Sequence, residues 1–229
     1  RDAKAVLDDA RAMLAKTLGA KPEEVFFTSS GSESDNWALL SGAELMKRRG
    51  NHIISSEAEH SAVIKSLEVL EKHGFEVTRL KPEKDGSISV SAVMGALRED
   101  TILVSLMLVN NETGGITDIS AISKALKKSG SAALLHTDAV QGFLKVPFSA
   151  KTLGADMISI SGHKIHAPKG IGALYIRGGT KANLSPLIVG GAQEFGKRAG
   201  TEALPQIAAF AKAAELGSLL FEESHRKMS

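Results

Sequence analysis

The sequence contains no cysteine, so the chain forms no disulfide and offers no thiol of its own. Its net charge is only +2, from 28 Lys+Arg against 26 Asp+Glu, which leaves no electrostatic case for nucleic acid or an anionic membrane as partner. No basic run is interleaved with aromatics. No apolar stretch approaches the about 20 residues of a membrane span, and no secretory leader is visible, so a cytoplasmic location is expected. Internal repeats and low-complexity segments are missing, and no His, Asp and Glu spacing argues for a metal site. What is present is ordinary for a globular protein: 229 residues, 43% hydrophobic and 24% charged, enough for one large α/β domain or two small ones. The chain opens at Arg1, without an initiator Met, directly into a helical pattern, as if something had been removed before it.

Periodicity orders the rest. Residues 2–18 carry Val6, Ala10, Met13, Leu14 and Leu18 at helical spacing, with Gly19 as a stop. Strands are expected at Val25–Thr28, His52–Ser55, Glu76–Leu80, Thr101–Val109, Ala132–Thr137, Met157–Ile160 and Gly172–Ile176, the last two close enough to pair antiparallel. Helices are expected from Ser34 to about Arg49, from Ser61 to about His73, and over Ser91–Leu97, Ile119–Lys128 and 205–223. Alternation of this kind predicts an α/β fold: a three-layer sandwich whose mainly parallel sheet has one antiparallel strand. The Gly-rich segment Gly178–Gly200 is long for a loop, and such loops are often functional.

In open parallel sheets, ligands sit beyond the carboxyl ends of the strands. Polar clusters fall at those ends: Ser29–Ser34, Glu59-His60, Asn110–Glu112 and His136–Gln141, with Lys164 joining from the turn after Met157–Ile160. Thr28–Ser34 suits a phosphate cradle at a helix N-terminus; it is equally a capped helix start with Ser30 or Ser32 as N-cap and Glu33 in the first turn. His60 could stack on a ring or move protons, or simply cap a helix. Asn110 and Asn111 fit a polar turn. Gln141 lies three residues after Asp138 and shares its face if a helix begins there. His52, His73 and His166 are assigned to surface or packing. A lysine and a carboxylate at strand ends suit pyridoxal phosphate, the lysine holding the aldehyde and the carboxylate holding the ring nitrogen protonated.

Six segments in register, Phe27–Asn36, Glu59–Val63, Val109–Gly114, His136–Gln141, Ser161–Tyr175 and Gly190–Glu202, resemble the class V aminotransferase group of fold-type I pyridoxal phosphate enzymes, and within it the cysteine desulfurases. The resemblance implies the roles. Lys164 is the Schiff-base lysine, Asp138 pairs with the ring nitrogen, and Gln141 contacts the ring hydroxyl. His60 stacks over the ring and moves protons, and Asn111 lies near substrate and ring. Gly31, Ser32, Ser161 and His163 bind the phosphate, and Thr201 reaches the phosphate of the other subunit of a homodimer. Lys164 and His60 are the catalytic pair, with no metal. Ser32 stands where the group usually has Thr, Ala167 and Ala192 where it has Gly, and Ala203 where it has Asn. The activity implied is conversion of L-cysteine to L-alanine, with sulfur passed to a cysteine persulfide and on to an iron–sulfur scaffold or another acceptor protein. A selenocysteine lyase or another lyase of the group, and a non-catalytic scaffold that keeps the cofactor fold, are the alternatives. Residues 1–229 are expected to be the cofactor-binding large domain, without the N-terminal segment and the C-terminal small domain that carries the catalytic cysteine, and therefore inactive by themselves.

Overall fold

The Asp2 carboxylate accepts the Lys4 N–H and opens α1 (Ala3–Leu18); Gly19, at φ 64°, ends it by turning left-handed, as its place in the sequence predicts. In the computed structural model, which describes residues 2–228 (the side chains of 222 and 224–228 apart), α1 buries Ala10, Leu14 and Leu18, with Val6 and Met13 at the margin of the stripe. Strands and helices then alternate: β1 (Val25–Thr28), α2 (Gly31–Met46), β2 (His52–Ser56), α3 (Ser61–Lys72), β3 (Glu76–Leu80), α4 (Val90–Ala96), β4 (Thr101–Ser105), α5 (Ile119–Lys128), β5 (Leu134–Asp138), α6 (Ala150–Leu153), β6 (Met157–Ser161), β7 (Gly172–Ile176) and α7 (Leu204–Met228).

The seven strands form one sheet in the order β1-β7-β6-β5-β4-β2-β3. β7 runs antiparallel to both its neighbours, and every other pairing is parallel. Two apolar clusters cover the two faces. One joins Leu14, Leu18, Ile122, Leu126 and Phe210 of α1, α5 and α7, and the other joins Trp37, Leu39, Val63 and Leu67 of α2 and α3. Three layers result, as the alternation predicts.

The helix after β2 lies on one face and the helix after β4 on the other. The chain therefore splays apart between these neighbouring strands, which opens a crevice at their carboxyl ends. Thr101–Val109 shows how burial and pairing part company. The ladder covers only Thr101–Ser105, but Leu106 and Leu108 still donate to the His136 and Asp138 carbonyls, and Leu106, Met107 and Leu108 stay buried. The apolar run reports a buried floor beneath the crevice rather than a longer strand. Among the described residues no helix is long and apolar enough to cross a membrane.

Candidate cofactor site

Each strand end delivers one piece of the site. After β1, Ser30 caps α2, its hydroxyl accepting the Glu33 N–H at 3.1 Å. The first-turn amides of this 16-residue helix carry partial positive charge. After β2, His60 caps α3, its Nδ1 accepting the Ala62 N–H at 3.1 Å. After β4, the two asparagines divide the labour. The buried Asn110 builds the turn, donating to the Ala58 carbonyl at 2.7 Å and accepting the Glu112 and Thr113 N–H groups, which leaves Asn111 on the surface of the crevice. Asp138 is the last residue of β5, and its Oδ1 accepts the Val140 N–H at 2.8 Å. Ser161 ends β6, its hydroxyl 2.8 Å from His163 Nδ1 in the one-turn 3-10 segment that also holds Lys164.

These pieces meet in one cavity of about 290 Å³, lined by Ser30, Gly31, Ser32, Asp35, His60, Met107, Asn111, Asp138, Val140, Gln141, Ser161, His163 and Lys164. Every site residue expected from the sequence lies there except Thr201, which is exposed beside Arg198 and Glu202 over a neighbouring surface depression. Gln141 reaches the cavity from a series of turns rather than from a helix. Leu144 adopts φ 57° and ends the winding, and Gln141 Oε1 accepts from Lys145 at 3.0 Å. His52 is a packing residue, buried between Thr101 and Thr78 hydroxyls at 2.7 and 2.8 Å.

The cavity is electrically graded. At its inner end burial raises the Asp138 carboxyl above the ordinary range, opposed by the Val140 N–H and by the charges of His60 and Lys164. At its outer end burial, then Lys164, Lys169 and Lys145, depress the His163 imidazole, a sign of crowded positive charge. The Glu33 carboxylate beside the α2 amides would oppose an anion, but Arg198 takes it bidentately at 2.8 and 3.0 Å. Burial works against Glu33 ionising, yet the hydrogen bonds from Arg198 and Ser29 outweigh it and hold the group below its usual value.

Sequence reasoning passed over Asp35, Met107 and Val140. Asp35 carried a signal: it stands four residues after Gly31, on the same face of α2, a charged residue at a buried position. Ligand atoms of Asp35, His60 and Asp138 come within 4.8 Å of one another, from three separate elements, so no sequence spacing foretells the cluster. Met107 and Val140 are apolar wall residues that no motif distinguishes.

Pyridoxal phosphate suits this donor set. A Cβ built on Gly31 would lie 2.7 Å from Val140 Cγ2 and 3.4 Å from Ser161 Cβ, so only glycine lets the start of α2 pack this closely against the cavity wall. The helix start and the Ser32 and Ser161 hydroxyls offer an anion cradle, Asp138 a carboxylate for a cationic ring nitrogen, and Lys164 an amine, all lining the same cavity.

Comparison with known proteins agrees. The chain is 45% identical to a cysteine desulfurase IscS of Methanosarcina thermophila over 228 residues, which is 100% of this chain and 55% of that protein. It is 44% identical to its counterpart in Dictyoglomus turgidum over 100% of this chain and 57% of that one. The chain thus spans about half the length of the curated relatives it matches. Among solved structures, a NifS-like protein superposes with a TM-score of 0.93 at 39% identity over 98% of this chain and 61% of that one. DndA of Streptomyces lividans gives 0.88 at 45% identity over 96% and 63%. A protein named SspA, solved in complex with cysteine, gives 0.89 at 40% identity over 93% and 61%. The family described as aminotransferase class V, whose members use pyridoxal phosphate, matches residues 1–228, and the chain belongs to that family.

Proposed function

We propose that residues 1–229 are the pyridoxal phosphate-binding domain of a cysteine desulfurase, and that the whole protein converts L-cysteine to L-alanine while a cysteine elsewhere in it takes up the sulfur. The observation that carries this reading is the convergence of Lys164, Asp138, His60 and the Gly31–Ser32 cradle on one cavity. The cysteine desulfurases among its relatives and the neighbour solved with cysteine bound supply the substrate class.

When bound, the cofactor supplies a carbonyl that condenses with amines and a ring that takes up electrons. The rest falls to this chain. The α2 amides, Gly31, Ser32, Ser161 and His163 hold the phosphate, and Asp138 keeps a ring nitrogen protonated by charge pairing in a partly dry site. Lys164 Nζ would hold the cofactor covalently and would also serve as a proton carrier, and His60 would be the second proton carrier. Asn111 and Gln141 orient polar substituents. A thiolate is the competent sulfur acceptor, and this chain has none to offer. The protein works as a homodimer in which the exposed Thr201 meets the phosphate of the other subunit. It resides in the cytoplasm and passes sulfur to an iron–sulfur scaffold or another acceptor.

The test is borohydride reduction of the protein loaded with pyridoxal phosphate. The cofactor is expected to become fixed on Lys164, read by mass spectrometry of the peptide, and Lys164→Ala to lose the adduct. Retention of a reduced adduct by Lys164→Ala would overturn the assignment.

A further inference from the structure

The chemistry above uses Asp138 and leaves a second buried carboxyl beside it unexplained. Asp35 is 1% exposed and lines the same cavity, its carboxyl oxygen within 4.8 Å of ligand atoms of Asp138 and His60. Its Oδ1 has no hydrogen-bond partner and lies 3.6 Å from His136 Nε2, too far for one. His136 supplies no countercharge: it is sealed between the hydroxyls of Ser105, at 2.9 Å, and Ser159, at 3.0 Å, and burial pushes it down to about 3, so it is neutral.

Two carboxylates this close in a buried site are not both ionised. Their partners decide which keeps the charge. Asp138 accepts the Val140 N–H and feels the charges of His60 and Lys164. Burial first, then the Asp138 charge, raise the Asp35 carboxyl well above the carboxylate range, against a hydrogen bond with the Ser159 hydroxyl, and Glu59 adds to the raise.

We propose that Asp35 is a positioning residue: a protonated acid that joins Ser159, His136 and Ser105 in an uncharged hydrogen-bonded layer behind Asp138, leaving Asp138 as the single anion offered to a cationic ring. The role toward the ring rests on the pyridoxal phosphate reading; the protonation of Asp35 does not.

Infrared spectra of the cofactor-free protein at neutral pH, with and without carbon-13 aspartate, read the proton directly. A protonated-carboxyl band sensitive to the aspartate label is expected, retained in Asp138→Asn and missing from Asp35→Asn. Absence of such a band in the wild type, or its loss in Asp138→Asn, overturns the proposal, and neither observation requires Asp35→Asn to fold. Cofactor affinity gives the second readout. Asp35→Asn, an amide in place of a neutral acid, is expected to bind within about threefold of wild type, whereas Asp138→Asn weakens binding about tenfold or more. Equal losses in both variants overturn the proposal. If no variant takes up cofactor on Lys164, the cofactor reading falls while the infrared result still decides Asp35.

Discussion

Glu59 sits in the β2–α3 connection with Oε1 accepting from the Ser56 hydroxyl at 2.6 Å and the Met107 N–H at 3.1 Å, while its buried Oε2 has no partner. Burial pushes this carboxyl from 4.5 up to about 8, against the pull of those two hydrogen bonds. The folded protein therefore binds a proton that the unfolded chain has already released at neutral pH. The stabilisation is complete below about 4.5 and is lost as the pH rises through about 8. Across that window Glu59 is expected to contribute a fall in unfolding free energy of about 1.4 kcal/mol per pH unit. Urea titrations at acidic, neutral and alkaline pH measure the slope. Glu59→Gln should flatten it and raise stability at alkaline pH; an unchanged slope would show that Glu59 is ionised in the fold. Glu59-His60 is legible in the sequence as a polar pair at a strand end, but nothing in the sequence says that Glu59 turns inward and His60 toward the cavity. That division follows from His60 taking the capping position of α3.

Elements are joined here by one buried and one half-buried ion pair that no motif announces. Arg11 of α1 holds Glu194 bidentately at 2.6 and 2.7 Å and donates to the Val25 carbonyl, and its guanidinium lies 4.9 Å from the Phe27 ring centre and 5.0 Å from that of Phe195. The Phe27 N–H also donates to Glu194, so α1, β1 and the loop leading to Thr201 share one charged knot. Glu194 and Phe195 have positive φ, 47° and 58°, a geometry this knot holds in place. Removing one partner strands a buried charge. Arg11→Ala is expected to cost about 3–5 kcal/mol in urea unfolding, and Arg11→Met with Glu194→Leu to recover most of it. Limited proteolysis of Arg11→Ala should cut within 190–200 before any other segment. A loss below about 1 kcal/mol would mean that the pair contributes no more than an exposed one. The Arg198–Glu33 pair ties the same loop to the first turn of α2, beside the anion cradle. Sequence periodicity located the strands and the longer helices to within about five residues because burial alternates with the backbone period, but it missed the one-turn α6 (Ala150–Leu153), too short to show a period. It overran β4 at Ser105, because continuous hydrophobicity marks burial whether or not a ladder accompanies it.

At the scale of the molecule, the sheet supplies a cofactor cradle and the chain supplies no thiol. Loaded with pyridoxal phosphate, these 229 residues are expected to produce no alanine from cysteine over multiple turnovers. Under the proposed function, added dithiothreitol would replace a sulfur acceptor but not substrate-orienting groups from the rest of the protein, and orientation alone is worth many orders of magnitude in rate. Alanine measured with and without the thiol checks this. Turnover comparable to a complete desulfurase would show that these 229 residues suffice.

The sequence by itself determined the alternation of strands and helices, the single antiparallel strand, the order of the polar clusters and the lysine–carboxylate pair that points to the cofactor. Each is local, written in spacing and in residue type at element ends. Tertiary structure alone decided what crosses between elements. It set Asp35 of α2 beside Asp138 of β5, closed the His136 layer between two serines, placed Met107 and Val140 as walls, and knotted Arg11 to Glu194, 183 residues away in the chain. The physical reason is that the charge state of a buried carboxyl and the shape of a cavity depend on distances between residues far apart in sequence, and only packing across the sheet sets those distances.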